Sequence, residues 1–333
     1  MRYIVIGAGA VGGTIGARLF QGGHEVLLIA RGRHYEALRT GGLRLITPQS
    51  DETLPIPAAD GPVPTRDDDV LVVATKSQDT VAALDPWPRH LPVVCAQNGV
   101  ENERTVLRRF ERVYGMCVWL PALHLEPGTV AAYGHPHSGL LHVGRYPQAV
   151  DDQGVDDQGV DDLTRQMVAD LTKGGLVALA QTDVMRWKYG KLIGNLGNAV
   201  EALCGHRPGA DAVYERARAE GAAVLKEAGI PFSGQEEERE LRGHLVDLLP
   251  IDGVTRGGGS SWQSLARSSG SIETDYLNGE IVLLGRDHGV PTPVNEVLQL
   301  ESGRYAREKL PPGSMPVERL TALIDERSAA VSR

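Results

Sequence analysis

Along the first 180 residues, short apolar runs alternate with helix-length stretches. The runs YIVIG at 3–7, EVLLIA at 25–30, DVLVVAT at 69–75 and PVVCAQN at 92–98 are continuous rather than alternating. Such runs are expected of strands buried on both faces, and the spacers between them predict βαβ units on a parallel sheet. Further strands are expected at 112–120, 128–134, 140–144 and 176–181. From about Thr182 the strand pattern stops and helical periodicity runs to the end of the chain. It predicts helices at 182–204, 210–228, 235–248, 260–268, 272–288, 293–309 and 316–331, with Pro293 after Thr292 in the cap-then-proline order that starts helices. The pattern is therefore that of an α/β protein with a parallel-sheet domain at 1–181 and an all-helical domain at 182–333.

Composition agrees with two domains and removes several classes of function. A chain of 333 residues exceeds what one hydrophobic core usually serves. No apolar run approaches the ~20 residues of a membrane span. The net charge of −9, with no lysine or arginine block, argues against a nucleic-acid partner. Three scattered cysteines, Cys95, Cys117 and Cys204, make neither a disulfide framework nor a CxxC metal site and suit a reducing compartment. The chain opens directly into a strand pattern without the regions of a signal peptide, so a cytoplasmic location is expected. Residues 150–162, VDDQGVDDQGVDD, form an acidic five-residue repeat with little to bury and are expected to be a solvated loop.

Glycine is abundant, 40 residues, and its placement carries chemistry. Gly7-Ala8-Gly9-Ala10-Val11-Gly12 is a GxGxxG between a strand and an amphipathic stretch at 11–21. In that setting Gly7 permits the tight turn, Gly9 lets backbone approach a pyrophosphate, and Gly12 lets helix pack close to strand, so dinucleotide binding is expected. An NAD site places an acidic residue at the end of the second strand to hold the ribose hydroxyls. Here the strand ends Ile29-Ala30-Arg31-Gly32-Arg33, and arginines without a carboxylate suit the 2′-phosphate of NADPH. Lys76 and Asn98 each follow a predicted parallel strand, where open α/β sheets bind ligands. They are candidates for contacting cofactor or substrate.

In RWKYGKLIGNLGNAVEAL, Lys191, Asn195 and Asn198 fall at i, i+4 and i+7 and share one helix face. A lysine there can protonate a carbonyl oxygen and the amides can orient a substrate. Lys188 lies one turn earlier, and helical geometry does not choose between the lysines. Gly190, Gly194 and Gly197 form a neighbouring stripe that suggests close packing. Ser261 and Glu273 lie twelve residues apart in a polar stretch. Glu273 could hold the lysine protonated, bind a cofactor amide or bind a substrate hydroxyl. His135 and His137 lack a third ligand in pattern, so a turn is expected there rather than a metal site.

These residues resemble the ketopantoate reductase family, the 2-dehydropantoate 2-reductases, over nearly the whole chain. GAGAVGG, Arg31, ATK at Lys76, QNG at Asn98, KLxxN at 191–195, SSxxQ and IETDYLNG occur in the family's order. The resemblance implies a Rossmann-like N-terminal domain and a helical C-terminal domain. It implies that Gly7, Ala8, Gly9, Ala10, Val11, Gly12, Arg31 and Lys76 bind NADPH and that Asn98 lies between cofactor and substrate. It selects Lys191 as proton donor over Lys188, makes Asn195, Asn198 and Ser261 substrate contacts, and places Glu273 near cofactor and substrate. The implied reaction reduces ketopantoate, a small 2-oxo acid, to pantoate in pantothenate biosynthesis. Apart from the resemblance, no metal is expected, and a homodimer through the helical domain is one assembly left open. Three positions depart from the family's asparagines: Ala199, Gly209 and Gly258. An enlarged substrate pocket is expected there, fitting a bulkier ketone or imine as the alternative substrate; a non-catalytic NADP-binding regulator is the third reading.

Overall fold

The computed structural model describes residues 1–148, 160–254, 257–268 and 270–331, so residues 150–159 of the acidic repeat at 150–162 lie outside the described residues. The chain divides into two compact units. The first comprises Met1–Trp187 and Glu236–Thr255, and the second Lys188–Gln235 and Arg256–Arg333. The division thus falls at Trp187, inside the helix Val184–Asn195, rather than at Gln181, and a later segment returns to the first unit.

The first unit is built on an eight-stranded sheet. Its order is Val177–Ala180, Leu140–Tyr146, Val113–Trp119, Val93–Cys95, Asp69–Val73, Arg2–Ile6, Glu25–Ile29 and Ala58–Ala59. From Ala58–Ala59 to Val113–Trp119 the strands are parallel, and Leu140–Tyr146 then pairs antiparallel. The continuous apolar runs have their reason in burial on both faces: Tyr3 and Val5 enter one core cluster, Ile4 and Ile6 the other. Arg2–Ile6 lies between Glu25–Ile29 and Asp69–Val73, so the strand order reverses at its carboxyl end. That is the switch point at which open α/β sheets bind ligands.

A second sheet orders Asp51–Leu54, Leu43–Ile46, Thr129–Ala132 and Ala122–Glu126. A Cβ on Gly13 would stand 3.0 Å from Val130, which seats the first helix, Ala10–Gln21, against this sheet. The helix expected at 235–248 is shorter. It spans Gln235–Arg242, and the chain then forms a strand, Val246–Leu248, antiparallel to Gly134–Pro136. His135 accordingly lies in a short strand rather than a turn. The pairing of Arg186 with Glu237, 2.8 Å, and the stacking of Arg242 on Trp119 hold this segment within the first unit. Among the described residues no group of three or more His, Cys, Asp or Glu could hold a metal ion, and no helix is long and apolar enough to cross a membrane.

The second unit is helical. The helix expected at 182–204 is two helices, Val184–Asn195 and Gly197–Cys204, separated at Leu196. Asn198 therefore does not share one continuous helix with Lys191 and Asn195. The break is held by polar groups: Asn278 Nδ2 donates to the Leu196 carbonyl, 3.2 Å, and to Asn295 Oδ1, 3.0 Å. Asn295 Nδ2 donates to the Ala217 carbonyl and to Glu220, whose carboxylate also accepts the N–H groups of Val294 and Asn295. Burial pushes the Glu220 carboxyl above its ordinary value, against the pull of those bonds. Asn278 and Asn295 are both fully buried. Replacing Asn278 by alanine removes two buried hydrogen bonds and takes the donor from Asn295 Oδ1, so it should cost about 2 to 4 kcal/mol. Urea denaturation measures this, and a change below 1 kcal/mol would show that these two bonds do not hold the break.

Candidate active site

The glycine loop stands at the switch point of the sheet. Gly7 has φ +97°, a conformation that favours glycine, and its N–H donates to the Ile29 carbonyl, 3.0 Å. A Cβ on Gly12 would collide with the Gly7 carbonyl and approach Ala74 Cβ to 2.8 Å, which is how closely the helix sits on the strand end. A Cβ on Gly9 would meet nothing within 4 Å. Gly9 has no side chain to cap the helix Ala10–Gln21. The N–H groups of its first turn lack intrahelical partners and carry the positive end of the helix dipole. Thr75, whose methyl would stand 3.0 Å from a Cβ on Gly7, has a buried hydroxyl without a hydrogen-bond partner. Open space at Gly9, free N–H groups and an orphaned hydroxyl together fit a bound phosphate.

Arg31 lies two residues past the second strand, Glu25–Ile29, and is the N-cap of the helix Gly32–Gly41. Its side chain and that of Arg33 are exposed. Lys76 is half-buried and leads into the turn Ser77–Asp79. A buried polar cluster joins its loop to that of Asn98. Asn102 Nδ2 donates to Ser77 Oγ, 3.2 Å, and to the Asn98 carbonyl, 2.9 Å; Thr80 Oγ1 donates to Asn102 Oδ1, 3.1 Å, and accepts from Gln97, 2.7 Å. The sequence reading named Lys76 and Asn98 but missed Ser77, Thr80, Gln97 and Asn102. Their signal was in the same two fragments, TKSQDT and AQNGVEN, as polar residues whose burial only the fold reveals.

In the second unit, Lys188 is 3% exposed whereas Lys191 is half-buried. Asn195 Nδ2 and Ser261 Oγ are both buried without a hydrogen-bond partner. Leaving such a group unpaired costs about 1 to 3 kcal/mol, and Arg218 Nε, Asn278 Oδ1 and Ser302 Oγ of the same unit are in the same state. Asn198, beyond the helix break, has its Oδ1 3.5 Å from where a Cβ on Gly259 would stand, beside the helix Ser260–Ala266 that carries Ser261. Glu201 accepts the Gly259 N–H, 3.0 Å, through Oε2, while its Oε1 lies 3.1 Å from His206 Nε2. Glu201 was not named from the sequence. Glu273 opens the turn Glu273–Tyr276 and is half-buried. The glycine stripe divides into different roles: a Cβ on Gly197 would strike the Tyr214 ring at 2.6 Å, whereas one on Gly194 would meet nothing. All three cysteines are buried, and burial pushes the Cys204 thiol up to about 11.

Comparison with known proteins gives a consistent result. Residues 3–148 match the family model "Ketopantoate reductase PanE/ApbA", and residues 183–300 match its C-terminal counterpart. A 2-dehydropantoate 2-reductase of Pyrococcus horikoshii is 26% identical over 90% of this chain and 95% of its own. The crystal structure of a PanE/ApbA family ketopantoate reductase from Ralstonia eutropha is 28% identical and covers 93% of this chain and 99% of its own, with a TM-score of 0.74. D-mandelate dehydrogenase with NADH and anilino(oxo)acetate, 22% identical over 93% of this chain and 99% of its own, shares the fold with a TM-score of 0.74.

The three departures from asparagine have local physical reasons. Ala199 is completely buried. Gly209 has φ +87° at the start of the helix Ala210–Glu227, where a side chain is strained. Gly258 is no vacancy: a Cβ there would stand 2.7 Å from Trp262 Cγ and 3.0 Å from Glu201 Oε1. The expectation of an enlarged pocket at Gly258 is therefore corrected, because Trp262 and Glu201 take the space. Restoring an amide by Gly258→Asn should destabilise by about 1 to 3 kcal/mol through overpacking, and adding Trp262→Ala should recover part of that loss. Thermal denaturation of the single and double variants checks this; equal stability of Gly258→Asn and wild type would mean that the space is free.

Proposed function

Because the chain belongs to the ketopantoate reductase PanE/ApbA family, an oxidoreductase family, we propose that it reduces ketopantoate or a closely related 2-oxo acid to the 2-hydroxy acid with NADPH. The observation that carries this reading is the pair of buried, partnerless polar atoms, Asn195 Nδ2 and Ser261 Oγ, in the unit that also presents Lys191. A nicotinamide dinucleotide, when bound, supplies hydride to the substrate carbonyl carbon.

The first unit's residues bind and orient. The free N–H groups at Gly9–Gly12 face the pyrophosphate, the Thr75 hydroxyl gains an acceptor, and Lys76 adds positive charge beside them. Arg31, exposed at the strand end where an NAD site would hold a carboxylate, pairs with the 2′-phosphate.

The second unit's residues hold the substrate and move the proton. Lys191 donates from Nζ to the carbonyl oxygen as negative charge develops there, and solvent returns the proton. Asn195 and Ser261 hydrogen-bond the substrate, which removes the cost of leaving them unpaired and selects against ligands without matching polar groups. Glu201 fixes the backbone two residues before Ser261, and with Trp262 it fills the space the family's asparagine would take. This argues for a compact 2-oxo acid over a bulkier ketone.

Two variants test the assignment. Lys191→Ala should lower kcat by about 10² to 10⁴ while NADPH affinity, read by fluorescence titration, changes less than threefold. Wild-type turnover in that variant contradicts the role of Lys191. Arg31→Ala should reduce the preference for NADPH over NADH by about 10- to 150-fold, the equivalent of a charge-assisted bond of about 1.5 to 3 kcal/mol. An unchanged ratio of the two affinities contradicts the assignment of Arg31.

A further inference from the structure

His34 lies three residues beyond Arg31, on the helix Gly32–Gly41, and no reading of the sequence gave it a role. Its ring bridges the glycine loop and the second sheet. Nε2 lies 2.7 Å from the Ala8 carbonyl oxygen, and Nδ1 accepts the Gly128 N–H at 2.9 Å. A nitrogen that accepts cannot carry a proton, so the ring is the neutral tautomer with hydrogen on Nε2, and that N–H donates to Ala8. His124 stands against the same ring, centroids 4.5 Å apart at 67°, and its Nε2 is 3.3 Å from His34 Nδ1. Gly128 has φ +84°, and a Cβ there would stand 3.0 Å from Ala37, so the turn that supplies its N–H is seated on the helix that carries His34.

The consequence for the loop follows from the planar peptide. In a trans peptide the N–H of Gly9 points opposite to the carbonyl of Ala8. Holding that carbonyl on the protein side aims the Gly9 N–H away from it, and the Cβ position of Gly9 itself has no neighbour within 4 Å. We propose that His34 is a positioning residue for dinucleotide binding: its Nε2–H fixes the Ala8–Gly9 peptide so that the Gly9 N–H is presented to the pyrophosphate. This rests on the reading of the glycine loop as a dinucleotide site. It differs from the role of Arg31 because the pyrophosphate is common to NADPH and NADH.

The test separates the two hydrogen bonds of the ring. Asparagine at 34 keeps an acceptor for Gly128 but is too short to reach Ala8, whereas glutamine carries an amide N–H to the distance of Nε2. Affinities of the purified protein for NADPH and NADH are measured by fluorescence titration, with melting temperatures recorded for each variant. His34→Asn should weaken both nucleotides by about tenfold with their ratio unchanged, and His34→Gln should stay within threefold of wild type. If His34→Asn does not fold, His34→Ala, which removes both hydrogen bonds, is compared with His34→Gln, which keeps the one to Ala8. Affinities within twofold of wild type in the asparagine or alanine variant overturn the proposal. So does an equal loss in the glutamine and asparagine variants, or a changed NADPH to NADH ratio. Wild-type protein that binds neither nucleotide overturns the underlying reading of the loop instead.

Discussion

A helix that starts without a side-chain cap leaves its first N–H groups unpaired, and much of the first unit is arranged around that condition. The helix Ala10–Gln21 begins at Gly9 with no capping side chain. It can begin there only because Gly7 takes a left-handed conformation and Gly12 has no Cβ to collide with the Gly7 carbonyl. The strand order reverses beside this turn, and the helices Ala10–Gln21 and Thr80–Leu84 pack on opposite faces of the sheet. Buried side chains then set the surrounding loops: Asn102 and Thr80 join those of Lys76 and Asn98, and His34 holds the Ala8 carbonyl. Local electropositive character arises from backbone dipoles and a few cations, in a protein whose net charge is −9.

The second unit meets a related problem with side chains. At the helix break, Asn278 from the IETDYLNG segment donates to the Leu196 carbonyl within a network that reaches Asn295 and Glu220. The break separates the helix of Lys191 and Asn195 from that of Asn198 and Glu201, and Glu201 in turn fixes the backbone leading to Ser261. Asn195 Nδ2 and Ser261 Oγ are buried without a hydrogen-bond partner in this unit, as are Arg218 Nε, Asn278 Oδ1 and Ser302 Oγ; the first two belong to the segments that resemble the family's substrate contacts.

The main strands and the glycine loop were legible because their signals are local: continuous apolar runs, and glycines at fixed spacing between a strand and a helix. Strands such as Leu43–Ile46 and Asp51–Leu54 were missed because each is four residues long, too short for a clear alternation. Val246–Leu248 was read as helix because it continues a charged helical pattern, and only its pairing with Gly134–Pro136 makes it a strand. Lys191, Asn195 and Ser261 were visible as polar residues in a helical setting, but the break at Leu196 depends on a side chain 82 residues away in sequence. Gly258 shows the limit most clearly. A missing side chain reads as empty space in a sequence, whereas Trp262 and Glu201 occupy that space in the fold.

The central claim is that Asn195 Nδ2 and Ser261 Oγ of the second unit hydrogen-bond a 2-oxo acid substrate. A crystal structure of the protein with NADP and the 2-hydroxy acid product tests it most directly. The account predicts the product hydroxyl within about 3.2 Å of Lys191 Nζ, with Asn195 Nδ2 and Ser261 Oγ both hydrogen-bonded to the ligand. Product bound elsewhere, with those two atoms still unpaired, would contradict it.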